Sequence, residues 1–189
     1  MTVRGDEQTR LAQDGLPPWA IVSPRRQEHV GRVAALVTAW TVAMRLPIEE
    51  SHRWLRAVWL HDALRDAPED EMRRWAPNVE GPVELRHGPA AAARAELEGE
   101  CDDDVLSAVR WHSVGWNGWA QTGRTLYCAD FLEPGRDFDR DERGALAARF
   151  PDDPAGVLRD VVRRRFAYAD LQGWSHPPES LAFRAEVLR

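Results

Sequence analysis

The stretch IEESHRWLRAVWLHDALRDAP, residues 48–68, decides the fold. Leu55, Val58, Trp59 and Leu60 recur along it at helical spacing, and the run ends on an adjacent pair, His61 and Asp62. Asp66-Ala67-Pro68 reads as the helix terminus, because the residue before a proline is driven out of helical geometry. In a helix reaching that far, Asp66 shares the face of Asp62, and Arg65 that of His61. One turn would then present two carboxylates, an imidazole and a cation.

Outward from this stretch the pattern stays helical. Upstream, Ser23-Pro24 reads as an N-cap with proline at the first helical position, and Val30, Val33, Val37, Trp40 and Met44 continue as a core face until Leu46-Pro47. Downstream, a short helix is expected around Glu69 to Trp75. An alanine-rich helix should open at His87-Gly88-Pro89, and one capped by Asp102 to Asp104 should end near His112. Residues 113–123 read as a loop, followed by a helix with Leu126, Tyr127 and Asp130 that Glu133-Pro134-Gly135 breaks. Two more helices are expected around Glu142 to Phe150 and Ala155 to Leu171. No β-type alternation or repeat is visible, so the class is all-α, a single helical bundle over residues 21–172. A polar, poorly ordered lead (1–20) precedes it and a tail (173–189) follows.

Composition removes several functions. The chain has 189 residues and a net charge of −6, which gives no electrostatic footprint for broad nucleic-acid binding. The sequence contains no lysine, which excludes a Walker-type loop, a kinase and a Schiff-base enzyme. The opening residues lack the apolar core of a signal peptide and no apolar run reaches a membrane span, so a cytoplasmic location is expected, with no membrane partner. Cys101 and Cys128 have no ligand spacing and read as buried free thiols.

What remains is a set of metal ligands. His29, His61, Asp62, His87, His112 and Asp130 supply imidazoles and carboxylates that suit iron, manganese or zinc better than magnesium. Asp62 is the natural bridge between two ions roughly 3.5–4 Å apart, the spacing at which both act on one phosphoryl group. One ion would use His29, His61 and Asp130, and the other His87 and His112. His52 and His176 read as ordinary polar residues.

The strings RRQEHVGRVAAL (25–36), WLHDALRDAP (59–68), LRHGPAAAARAE (85–96), AVRWHSVG (108–115) and LYCADFLEPGRDF (126–138) resemble, in order and spacing, the YqeK-type HD-domain proteins. The resemblance spans about Ser23 to Leu171. It implies an all-helical domain, two divalent or mixed-valence metal ions with iron foremost, and symmetrical hydrolysis of diadenosine tetraphosphate to two ADP by a metal-activated water. All six ligand positions of that family are intact here. Alternatives are another HD-type nucleotide phosphatase or phosphodiesterase, and a nucleotide-sensing module that keeps its metals without turnover.

Around the ligands the assignments are divided. Arg26 matches the family and would hold a phosphate, or is an exposed helix-start arginine. Arg65 stands where the family has lysine, and keeps bidentate phosphate contact without proton donation. Asp66 would orient the attacking water or a ligand histidine, or simply ends its helix. Ser113 and Val114 replace two threonines, and only Ser113 keeps a hydroxyl for substrate. Glu133 and Arg136 would meet the nucleotide, or cap the loop. Trp116 and Trp119 invite adenine stacking, with a core role the safer reading, and the run Arg163 to Arg165 reads as a solvated helix face. A homodimer is an open alternative; the tail could cover the site, pair with another subunit or remain mobile.

Overall fold

A computed structural model describes residues 15–189. Among them are nine α-helices and no strand: α1 (Pro24–Ala43), α2 (Ile48–His61), α3 (Glu69–Trp75), α4 (His87–Leu97), α5 (Asp103–Trp111), α6 (Gln121–Leu132), α7 (Arg140–Arg149), α8 (Pro154–Leu171) and α9 (Pro178–Val187). A 3-10 turn, Val83–Leu85, leads into α4. The all-α class expected from the sequence is what is observed.

Local chemistry starts these helices where the sequence says. The Ser23 hydroxyl accepts from the Arg26 amide at 3.3 Å, and the Asp102 carboxylate accepts from the amides of Asp104 at 3.1 Å and Val105 at 3.4 Å. Each satisfies donors that a helix start leaves unpaired.

Helix α2 is the hub, packing against α1, α4, α5 and α6. Its Trp54, Ala57, Val58 and Leu60 are buried, as are Val30, Val33 and Val37 of α1. Small side chains set how close α4 comes: Ala90, Ala91 and Ala92 have no exposed surface, and a Cβ on Gly88 would stand 2.9 Å from the Val109 carbonyl oxygen of α5. Trp40 stacks on Phe150 with centroids 3.9 Å apart, fastening α1 to the end of α7.

Two features differ from expectation: Cys101, just ahead of α5, is exposed while Cys128 is buried, and one helix boundary moves. Helix α2 stops at His61 rather than near Asp66. The Ala63 carbonyl, which in a continued helix would accept from Ala67, accepts instead from the Ile21 amide at 2.7 Å, and the Asp66 amide donates to Ile21 at 3.3 Å. Residues 62–67 therefore descend in tight turns, with amides bonded three residues back, as Ala67 to Leu64. Arg65 and Asp66 consequently share no helical face with His61 and Asp62.

Both chain ends described are attached. Of the expected polar lead, residues 1–14 lie outside the described ones. Leu16 and Trp19 pack on the core, with Arg94 over the Trp19 ring. In the tail, Phe183 is fully buried against Trp119 and Tyr127, at centroid separations of 5.2 Å for both. Gly115 makes room for it: its φ is +87°, and a Cβ there would lie 2.3 Å from the Phe183 ring.

Candidate metal centre

Each of the four helices around α2 carries a ligand candidate to the end of α2. His29 comes from α1, His87 from the first position of α4, His112 from the C-cap of α5 and Asp130 from α6. His61 is the last residue of α2, and Asp62 its C-cap, where the backbone leaves helical geometry.

The four imidazoles share one orientation rule. Nδ1 of His61 donates to the Val58 carbonyl at 2.6 Å, Nδ1 of His87 to Glu84 at 2.6 Å, and Nδ1 of His112 to Val109 at 2.8 Å. Nδ1 of His29 lies 3.1 Å from Oε1 of Glu133. With each Nδ1 occupied, every Nε2 is turned inward, the orientation metal-binding histidines require.

Asp62 stands between two such groups. Its Oδ1 is 3.1 Å from Nε2 of His87 and 3.5 Å from Nε2 of His112. Its Oδ2 is 3.7 Å from Nε2 of His29 and 3.5 Å from Nε2 of His61. Asp130 completes the second group, with Oδ1 3.2 Å from Nε2 of His29. Ligand atoms of His29, His61 and Asp130 form one compact cluster, and those of Asp62, His87 and His112 another.

These donors fit cations. Nε2 of His29 and of His61 are buried with no hydrogen-bond partner. Nε2 of His87 and of His112 face each other at 3.0 Å, although both rings already commit Nδ1–H to carbonyls. Two opposed lone pairs at that distance repel, and a cation between them relieves this. Mixed imidazole and carboxylate donors suit several transition metals.

Electrostatics agrees. Burial holds His61 neutral, lowering its pKa from 6.5 to about 4. Burial also opposes charge on His29, but the Asp130 and Glu133 carboxylates beside it outweigh this and raise the pKa to about 9, a pull toward positive charge that a cation at Nε2 would equally answer. Asp62 and Asp130 remain ionised: burial works against them, but the cluster of imidazoles around Asp62 and the Arg136 guanidinium beside Asp130 hold both well below the usual carboxylate range.

Two clefts meet the centre. One, about 600 Å³, is lined by Asp130, Ser113 and Arg165 together with aromatic side chains. The other, about 570 Å³, is lined by His29, Arg25, Arg26, Arg32 and Asp66. Arg136 and Phe138 line both.

Arg26 reaches Asp62, Nη1 to Oδ2 at 2.8 Å, and Arg136 reaches Asp130, Nη2 to Oδ1 at 2.7 Å. The Ser113 hydroxyl sits 3.2 Å from Nε2 of His112. Asp66 is exposed and accepts from the Ser23 amide at 2.7 Å. Arg65 is half-buried and lines neither cleft; among the described residues its guanidinium has no ion pair.

Glu133 is not a surface residue waiting for a nucleotide. It is 1 % exposed and engaged by His29, by Nε of Arg32 at 2.6 Å and by the Gly135 amide at 2.7 Å. Burial opposes its charge, but the His29, Arg32 and Gly135 donors outweigh it and bring its pKa down to about 2. It orients His29, with Arg32 behind it.

Trp119 is a core residue, 4 % exposed, donating to the Ser107 carbonyl at 3.1 Å, so it cannot stack on a base. Arg165 is also not solvated like Arg163: it lies over the Tyr127 ring at 4.1 Å and donates to the Ser113 carbonyl at 2.9 Å. Its position four residues after Val161, on the buried face of α8, is the signal that separates it from its neighbours.

Comparison with known proteins agrees with this architecture. Residues 26–143 match the family model of the HD domain, a span that holds all six ligand candidates. A symmetrical bis(5'-nucleosyl)-tetraphosphatase of Bacillus subtilis is 30 % identical over 129 residues, covering 63 % of this chain and 69 % of the relative. One of the same name from Halalkalibacterium halodurans is 27 % identical over 139 residues, covering 68 % and 74 %. The crystal structure of a predicted HD superfamily hydrolase involved in NAD metabolism, from Clostridium acetobutylicum, superposes with a TM-score of 0.75 at 19 % identity, covering 100 % of this chain and 98 % of that one, and shares its fold. By its matched domain, the chain belongs to the HD-domain family of hydrolases.

Proposed function

We propose that this hydrolase splits diadenosine tetraphosphate symmetrically into two ADP at a two-metal centre, with iron the first candidate and manganese or zinc the alternatives. The observation that carries the two-metal reading is the division of Asp62, one oxygen toward His87 and His112, the other toward His29 and His61. The names of the Bacillus and Halalkalibacterium relatives support the substrate.

Asp62 would bridge, with His29, His61 and Asp130 on one side and His87 and His112 on the other. Two cations held there supply Lewis acidity toward phosphate oxygens and acidify water at neutral pH. The chain's own part is to position and to compensate charge. Arg26 and Arg136, on opposite carboxylates of the centre, can turn from Asp62 and Asp130 to phosphate oxygens, which guanidinium binds in bidentate fashion. The Ser113 hydroxyl, beside His112, is placed to donate to a phosphate oxygen. Asp66, tied to the start of α1 through Ser23 and lining the cleft with His29, is the group that would orient a water arriving there. A cytoplasmic location belongs to the same proposal; no described helix is long and apolar enough to cross a membrane.

Product analysis tests the reading. Purified protein loaded with iron or manganese should convert each diadenosine tetraphosphate into two ADP. ATP plus AMP, or phosphate release from mononucleotides with the dinucleotide untouched, would replace this substrate with another.

A further inference from the structure

The cleft of about 600 Å³ changes chemistry between its two sides. The metal centre contributes Asp130 and Ser113. The end of α8 and the turn after it contribute Tyr168 and Trp174, which meet edge to face with centroids 5.6 Å apart while 56 % and 59 % exposed. Large aromatic rings left in water cost hydrophobic stabilisation, and this pair is nevertheless held in place.

The backbone does the holding. Gly173, at φ +68°, ends α8 in the left-handed region; its amide bonds the Asp170 carbonyl at 3.1 Å, and the Trp174 amide reaches back to Ala169 at 3.0 Å. This pair of bonds is a Schellman cap, which fixes the direction in which the chain leaves a helix. Trp174 is thereby returned alongside Tyr168 rather than released into the tail. The tail itself is pinned by the buried Phe183 and by the Ser180 hydroxyl on the Val114 carbonyl at 2.7 Å.

Arg165 joins the two sides. Its guanidinium lies 3.8 Å from Oδ2 of Asp130 and belongs to the same helix as Tyr168. Arg136 and Arg164 line the same cleft. Planar apolar rings at one side, with guanidinium groups between them and a metal centre, complement a ligand that is aromatic at one end and polyanionic at the other. Arg136 and Arg165 share Asp130, and Arg164 meets Glu142 at 2.6 Å, so each five-donor guanidinium keeps N–H groups over for phosphate oxygens.

We propose that Trp174 and Tyr168 form the base-stacking wall of a nucleotide site, with Arg165 directing the attached phosphates toward Asp130. The assignment rests on the nucleotide reading of the metal centre. It lies outside the matched domain, which ends at residue 143, so it is a specificity element contributed by the C-terminal part of this chain.

The test is calorimetric binding of ADP and of inorganic pyrophosphate to the full chain with manganese, for the wild type, Trp174→Ala, Trp174→Phe and Tyr168→Ala. The wild type should prefer ADP by roughly tenfold or more, the scale of one base–aromatic stack. Trp174→Ala and Tyr168→Ala should each erode that preference while pyrophosphate affinity stays constant, and Trp174→Phe should restore most of it. An unchanged preference in Trp174→Ala, or none in the wild type, overturns the wall. If the preference depends on Trp174 while diadenosine tetraphosphate is not cleaved, the base site stands and the proposed reaction falls. If the dinucleotide is cleaved and Trp174→Ala binds like wild type, the reaction stands and the wall falls.

Discussion

Oε1 of Glu133 lies 3.1 Å from Nδ1 of His29, so the carboxylate grips the far side of the imidazole whose Nε2 faces Asp62 and Asp130. Carboxylates in this position fix the ring and raise its basicity, and losing one typically costs about 10- to 100-fold in metal affinity. Glu133→Ala should therefore weaken one of two metal-binding events by that order, measured by competitive chelator titration, with Glu133→Gln intermediate. A raised KM at unchanged metal affinity would instead return Glu133 to the role of a nucleotide contact.

Gly88→Ala should destabilise the protein despite adding a better helix former. A Cβ would stand 2.9 Å and 3.0 Å from the carbonyl oxygens of Val109 and Arg110, and 3.2 Å from Cε1 of His112. The two carbonyls belong to backbone that cannot step aside. Overpacking costs about 1–3 kcal/mol, against a helix-propensity gain of about 1 kcal/mol. Thermal unfolding should show a lowered Tm, and binding at the ion shared by His87 and His112 should weaken with it.

Trp119→Ala should act on stability rather than on substrate. Its indole is buried against Tyr127 and Phe183, and removing such a side chain costs about 3–5 kcal/mol. Denaturant unfolding should report that loss, with KM unchanged in whatever fraction remains folded. A variant of normal stability with a raised KM would restore the stacking role first suggested by the loop.

Those three residues show how far a single sequence could be read. The helices that carry His29, His87, His112 and Asp130 were legible because each is marked by its own punctuation: Ser23-Pro24 ahead of His29, Gly88-Pro89 after His87, Asp102 to Asp104 ahead of His112 and Glu133-Pro134-Gly135 after Asp130. The end of α2 was not, since Leu64 continues the apolar spacing of Leu60 and only the distant Ile21 backbone stops the helix. Arg165 read as solvated, and Glu133 as a nucleotide contact or a loop cap, while both turn inward to partners 52 and 104 residues away; the cap is what Glu133 makes, through the Gly135 amide. The partners of such long-range contacts leave no local signature, although the spacing of Arg165 from Val161 marks the inward face it occupies.

Asp102 gives a pH dependence remote from the centre. Burial pushes its pKa up, but hydrogen bonds from Arg53 and Val105 outweigh this and lower it below 3.8. A depressed folded-state pKa contributes stability above the unfolded value and loses it as pH falls through the folded one. The wild type should therefore lose this contribution below about pH 4. Asp102→Ala, lacking the cap, should be less stable near neutrality by about 1 kcal/mol, and the difference from wild type should shrink in acid. A difference that stays constant down to the acid transition would assign the loss to packing.

The most direct measurement of the central claim is anomalous scattering from crystals grown with iron or manganese, recorded at that metal's absorption edge. Two peaks are predicted, one among His29, His61 and Asp130 and one beside His87 and His112, with the Asp62 carboxylate between them. A single peak, or a second one away from Asp62, would contradict the two-metal centre.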